Sequence, residues 1–96
     1  MKENSLRGAV LEFLKEIYPE GADKRSIVSI FYQYHQVDQV IEALEYLSDK
    51  YYIMKKELPH PYNKQEKINW YKILPKGIDL IDGNIPFDPG IVIPKG

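Results

Sequence analysis

The 96-residue chain has no cysteine, two histidines and only six glycines. The missing thiols exclude a disulfide framework, a cysteine nucleophile and a cysteine metal site. Neither His35 nor His60 has a second ligand at metal spacing, and the scattered glycines form no phosphate-binding loop. The serines lie in no nucleophile-elbow pattern. These absences predict a protein that is not an enzyme, with no catalytic residue, no metal and no cofactor.

Long apolar runs are also missing. The longest uncharged apolar run, around Ile27 to Tyr34, is far shorter than the ~20 residues that a membrane span requires. The N-terminus leads into an amphipathic stretch instead of an apolar signal core. Hydrophobic residues make up 44% and charged residues 28% of the chain, as in ordinary globular domains. We expect one soluble, cytoplasmic domain with no membrane partner.

The formal net charge of −1 hides an uneven distribution. Residues 35–51 have a net charge of −3, whereas residues 52–76 hold six lysines and two glutamates, a net charge of +4. The near-neutral total argues against strong non-specific affinity for nucleic acid, but the second block leaves a local basic element possible.

Three segments before residue 51 carry apolar residues at helical spacing. The first is Ser5–Ile17, which stops before a proline and a glycine. The second runs from Lys24 to about Tyr32, with Asp23 as its plausible N-cap. The third, Val37–Lys50, has one apolar face and one acidic face. Only a short polar link separates the second helix from the third.

The spacing of apolar residues changes after Lys50. Tyr52–Leu58 and Lys67–Leu74 are strand candidates joined by a turn-rich tip, which predicts a hairpin. A proline then starts a short helix, Lys76–Ile81, that ends at Gly83.

This order of elements predicts a mainly α fold with a β-hairpin: a winged helix-turn-helix. The alternative is a small helical bundle with an incidental hairpin. We predict a winged-helix domain over residues 1–83 and a proline-rich, apolar C-terminal tail over residues 84–96.

Two stretches carry a family resemblance. Residues 38–53 resemble the third helix and first wing strand of small winged-helix proteins, although Tyr51 stands where these often have glycine. Residues 73–83, followed by Ile85-Pro86 and by Asp88 to Ile91, look like the C-terminal end of small winged-helix proteins of Mu-type phages and prophages. The resemblance implies a helix-turn-helix fold related broadly to the MarR and ArsR regulators. It also implies a DNA-binding regulator of transcription in a phage or prophage.

Candidate DNA contacts occur in three places. Glutamines near the start of the third helix could contact base edges in the major groove. Two cations at the start of the second helix, and lysines along the hairpin, could contact phosphates. In each place the competing interpretation is an ordinary solvated surface. The candidates are Lys24, Arg25, Gln36, Gln39, Lys55, Lys56, Lys64 and Lys67.

The third helix supports a second hypothesis. Its exposed face is expected to present Asp38, Glu42, Glu45 and Tyr46, and the carboxylates would repel phosphates. Either only the first turn of this helix enters the groove, or the chain is a protein-interaction module whose acidic helix binds a basic protein partner. Both hypotheses stay open at this point.

Aromatic residues and the tail complete the expectations. Tyr52 and Trp70 should close the core under the hairpin, leaving Tyr62 and Tyr71 partly exposed. A domain this small has modest stability, and the apolar tail needs a partner surface. We therefore predict a homodimer with two-fold symmetry, in which the tail and the first helix cross to the other subunit.

Overall fold

A computed structural model describes residues 3–94, which form four helices and a three-stranded sheet. The helices are α1 (Glu3–Glu16), α2 (Lys24–Phe31), α3 (Val37–Asp49) and α4 (Pro75–Asp82). The strands are β1 (Ala22–Asp23), β2 (Ile53–Pro59) and β3 (Lys67–Ile73). All four predicted helices and the predicted hairpin are present. Residues 1–2 of the predicted domain and 95–96 of the predicted tail lie outside the described residues.

The core forms where the apolar faces of the helices meet the hairpin. From α1, Leu11 and Leu14 are fully buried, and from α3, Leu44 and Leu47 are fully buried. Ile27 is the buried residue of α2. The predicted apolar faces are therefore only partly correct: Leu14, Ile27 and Leu44 are buried as expected, whereas Ile30 and Val37 are 47% and 49% exposed.

The sheet has the strand order β1-β3-β2, with both pairings antiparallel. The β2–β3 hairpin, residues 53–73, is called the wing below. Ile53 pairs with Ile73 and Lys55 pairs with Tyr71, so these four side chains share the face of the wing that is turned to α3. The two-residue strand β1 was not predicted; it pairs Ala22 and Asp23 with β3 and makes β3 the central strand.

The C-terminal tail packs on its own chain over its described part, residues 84–94. Ile91 is 5% exposed and belongs to the core. The backbone N–H of Val92 donates to the carbonyl oxygen of Asn4 at 3.0 Å. Asp88, 8% exposed, accepts from the hydroxyl of Tyr52 at 2.8 Å. The expectation that the tail needs the other subunit is therefore wrong for Ile91, which is buried within its own chain, whereas Phe87 and Val92 stay 82% and 51% exposed.

Two of the four aromatic predictions are correct and two are wrong. Tyr52 is buried, and Tyr62 is 93% exposed at the tip of the wing. Trp70, expected to close the core, is instead half-buried beside Gly21 on the outer face of the wing, because it precedes the core-facing Tyr71 in β3. Tyr71, expected to be partly exposed, is fully buried, because its position in β3 points to the core face.

Two residues in the left-handed region shape the connections. Gly83 ends α4 with φ of 77°, as the sequence predicts. Tyr51 has φ of 64° between α3 and the wing, at the position where the family resemblance leads one to expect glycine. With α2 and α3 joined by a short turn and followed by the wing, the chain has a winged helix-turn-helix fold.

Candidate nucleic-acid interface

The start of α2 is fixed by its N-cap. The carboxylate of Asp23 accepts from the backbone N–H of Ser26 at 3.1 Å and from the Ser26 hydroxyl at 2.6 Å. The Ser26 hydroxyl is the main cause that lowers the pKa of Asp23. Lys24 and Arg25 therefore stand in a well-formed first turn, with Arg25 exposed and Lys24 half-buried.

A cleft of about 290 Å³ separates this first turn from the base of the wing tip. Residues of α2 and of the wing line it together: Asp23, Lys24, Arg25, His60, Glu66, Lys67, Ile68 and Asn69. Three of the predicted phosphate-binding residues, which come from two segments distant in sequence, thus meet at one concave site. Its two carboxylates reduce the net charge of the cleft, and that of Asp23 is already occupied by Ser26.

His60 also lines the cleft. Its Nδ1 accepts the backbone N–H groups of Tyr62 and Asn63 at 3.1 and 3.0 Å. An imidazole nitrogen that accepts carries no proton, so these bonds assign the proton to Nε2. Residue type and spacing do not select His60 as a site residue, because these two hydrogen bonds depend on the conformation of the wing tip.

The wing lysines do not form one surface. Lys55 points to the α3 side and lies 3.3 Å from the Glu45 carboxylate, which is the main cause that raises the pKa of Lys55. Lys56 pairs with Trp70 and therefore occupies the opposite face. Lys64 is exposed in the tip, and Lys67 lies 3.5 Å from Glu57. The four lysines predicted as a group are thus divided between two faces and the tip.

The start of α3 holds both glutamines that were predicted to contact bases. Gln36 is the N-cap, and its backbone N–H donates to Gln39 Oε1 at 3.1 Å. Both residues are exposed. Gln39 therefore keeps its amide NH₂ for an outside acceptor, but it pairs bidentately with adenine only if its oxygen leaves the cap.

The outward face of α3 is acidic along its length. Asp38, Glu42, Glu45 and Asp49 are all exposed. Tyr46, expected on this face, is instead half-buried, because the guanidinium of Arg7 covers its ring.

The turn between α2 and α3 presents aromatic side chains that were not selected from the sequence. Tyr32 is 59% exposed and Tyr34 is 81% exposed, while His35 is 7% exposed and fills the inside of the turn. The backbone N–H groups of Tyr34 and His35 both donate to the carbonyl oxygen of Phe31 at 3.1 Å. These bonds close the turn in the absence of the glycine that such turns often contain.

Two features are absent from the described residues, 3–94. No helix there is both long and apolar enough to cross a membrane. Within the same residues, no three histidine or acidic side chains lie together in a group that could hold a metal ion.

The chain is similar in fold to a protein of known structure. No protein-family model and no curated protein matches the chain. Among solved structures, the chain is similar to Bacillus subtilis PadR in its complex with operator DNA, with a TM-score of 0.61 and 19% sequence identity. The match covers 95% of this chain and 52% of the PadR chain, so the chain spans about half the length of that protein. The similarity establishes the winged-helix fold.

Proposed function

We propose that this chain is a DNA-binding winged-helix protein that regulates transcription. One observation carries the proposal: Lys24 and Arg25 of α2 and Lys67 of the wing line a single cleft. A concave site with several cations and an N–H donor suits a phosphodiester, since charge-assisted hydrogen bonds to phosphate are strong. The similar PadR structure is a complex with operator DNA, which supports this function.

In the proposed complex, the cleft and the wing tip hold the DNA backbone. The first turn of α3 enters the major groove, where Gln36 and Gln39 reach base edges. The remaining turns, with Glu42 and Asp49, stay outside the groove because their carboxylates repel phosphates. Affinity then comes from backbone contacts, and the few base contacts supply specificity.

The biological setting belongs to the same proposal. The resemblance of residues 73–91 to proteins of Mu-type phages supports a phage or prophage regulator, related broadly to the MarR and ArsR proteins. We propose a homodimer as its active form, which would place two α3 helices for half-sites about 34 Å apart. Because the tail packs in cis, the dimer contact is expected on α1 and on the exposed tail residues Phe87 and Val92.

Fluorescence anisotropy with a labelled 30-base-pair duplex of mixed sequence tests DNA binding. The double variant K24A/R25A should bind at least tenfold more weakly at low salt, because two phosphate contacts are lost. The matched control K15A/K76A removes the same charge from α1 and α4, outside the cleft lining and the wing, and should bind like the wild type. Equal affinities of the two double variants would remove the cleft from the interface, and no wild-type binding at low salt would refute the function.

The acidic face of α3 favours a second candidate function, a protein-interaction module for a basic partner. Its four exposed carboxylates lie on consecutive turns of one helix. Under this hypothesis E42Q and D49N weaken binding of a lysine-rich peptide, followed by NMR titration. Under the DNA hypothesis the same substitutions strengthen duplex binding, because they remove repulsion.

A further inference from the structure

The hydroxyl of Tyr71 is a buried polar group without a partner. Tyr71 is 0% exposed, and its hydroxyl makes no hydrogen bond to any described residue. Leaving a buried hydroxyl unsatisfied is costly, and native proteins do so rarely. The neighbourhood of this hydroxyl therefore needs an explanation.

Lys55 and its partner Glu45 lie on the same face of the wing as the Tyr71 side chain. Lys55 pairs directly with Tyr71 across the wing, and its ammonium group contacts Glu45 at 3.3 Å. Burial raises the pKa of Tyr71, the charge of Lys55 lowers it and that of Glu45 raises it, so both charges act on the hydroxyl. The ion pair is itself partly exposed, with side-chain exposures of 34% for Lys55 and 49% for Glu45.

The ion pair presents a conflict if the wing contacts DNA. Lys55 is held by a carboxylate, and a phosphate must displace that carboxylate before Lys55 binds it. The released Glu45 would then stand unpaired next to a polyanion, which is unfavourable. A hydrogen bond to the Glu45 carboxylate would reduce this cost, and the unpartnered Tyr71 hydroxyl on the same face of the wing is a donor that could supply it.

We propose that Tyr71 is a positioning residue that stabilises Glu45 when DNA binds. On contact with a phosphate backbone, Lys55 leaves Glu45 for a phosphate, and the Tyr71 hydroxyl donates a hydrogen bond to the Glu45 carboxylate. The inference rests on the proposed DNA binding. In the absence of DNA, the ion pair with Glu45 occupies Lys55 at the junction of α3 and the wing. Lys55 then binds a phosphate only when that phosphate displaces the Glu45 carboxylate. No proton is transferred; one hydrogen bond replaces an ion pair.

The test compares Y71F, E45A and their double variant on the same 30-base-pair duplex. Y71F should melt at or above the wild-type temperature, because it removes an unsatisfied group, yet bind the duplex roughly fivefold more weakly. E45A should bind more tightly, because it exposes Lys55. In the E45A background, Y71F should have no effect on affinity, since the acceptor is gone. Y51F, which changes an exposed tyrosine at the same junction, is the control and should bind normally.

A second readout follows the carboxylate itself. The Glu45 Cδ chemical shift should move on addition of duplex to the wild type and move less in Y71F. A lowered melting temperature of Y71F together with weaker binding in both backgrounds would assign it a merely structural role and overturn the inference. Wild-type binding with unchanged Y71F affinity would overturn this inference alone. Absence of wild-type binding would overturn the proposed function and this inference with it.

Discussion

The guanidinium of Arg7 lies over the ring of Tyr46, with its Cζ atom 3.7 Å from the ring centre. The same guanidinium donates to the carbonyl oxygen of Gly90 at 3.1 Å. Arg7 belongs to α1, Tyr46 to α3 and Gly90 to the tail. One side chain therefore joins three segments, and it does so at the inner edge of the helix proposed to read DNA.

Replacing Arg7 by alanine should destabilise the protein by about 1–3 kcal/mol, because stacking and a charge-assisted hydrogen bond are both lost. R7K keeps the charge but not the planar stacking group, so it should recover only part of the loss. Urea denaturation measures both changes. R25A, on an exposed residue of α2, is the control and should change stability by less than about 0.5 kcal/mol.

Gly8 provides a test of how the tail packs. A Cβ atom at this position would overlap the carbonyl oxygen of Val92. Alanine normally stabilises a helix interior by about 1 kcal/mol relative to glycine. G8A should nevertheless lower the melting temperature of the full chain, because it displaces the tail.

In a chain shortened to residues 1–83, the sign of the Gly8 effect should reverse. The truncation itself should lower the melting temperature, since it removes Ile91 and Asp88 from their contacts. Against that background G8A should be stabilising, because only the helix propensity remains. A destabilising G8A in both chains would show that Gly8 is required for a contact other than the tail, and light scattering on both chains reports any change in assembly.

Asp88 predicts a specific loss of stability in acid. Burial raises the pKa of Asp88, but the N–H of Gly90, the hydroxyl of Tyr52 and the charge of Lys50 together lower it below its ordinary value of 3.8. A carboxyl with a lower pKa in the folded than in the unfolded chain contributes stability above the unfolded pKa. That contribution is lost as the pH falls from 3.8 through the folded pKa.

The variant D88N isolates this effect. It should be less stable than the wild type at neutral pH, where the charged carboxylate accepts from Tyr52 and Gly90. The difference in unfolding free energy should shrink below pH 3.8, because the wild-type carboxyl becomes protonated as well. Urea titrations at several pH values provide the measurement, and a difference independent of pH would contradict the prediction.

The wing lysines should contribute unequally to DNA binding. All four lysines are exposed, but among the described residues only Lys55 and Lys67 have carboxylate neighbours within 4.0 Å. Replacing all four by alanine should weaken binding to every sequence, with the salt slope falling by about 0.9 for each lysine that contacts a phosphate. Single variants in salt titrations identify which of them do so; an unchanged slope for all four would remove the wing from the interface.

The helices and the hairpin could be predicted because their apolar spacing and boundary residues are local. Asp23 caps α2 and Gly83 ends α4, as expected from residue type alone. The site was predicted less completely. Lys24, Arg25 and Lys67 do line one cleft, but the pairing of Lys55 with Glu45 depends on the distance between α3 and the wing. No DNA contact of the eight candidates has been tested, and they stay predictions.

The failures have a common physical origin in contacts between distant segments. β1 has only two residues, too few for any alternation to appear, and it exists because β3 offers it an edge. Tyr71 was assigned to the wrong environment, since a tyrosine at the end of an alternating strand fits either face. The contact of the tail with its own domain was not predicted, because it depends on two residues far apart in the sequence. Gly8 has no side chain and so leaves room for Val92, which lies 84 residues later.

Tyr51 connects α3 to the wing through a single left-handed backbone conformation. A non-glycine side chain there narrows the set of conformations available to this joint, whereas glycine would widen it. The φ and ψ angles of Tyr51 thereby restrict the angle between α3 and the wing, the two elements proposed to contact DNA. The connection is therefore pre-organised, and less conformational entropy is lost on binding. The same restriction means that duplexes with an unsuitable groove geometry are accommodated less well.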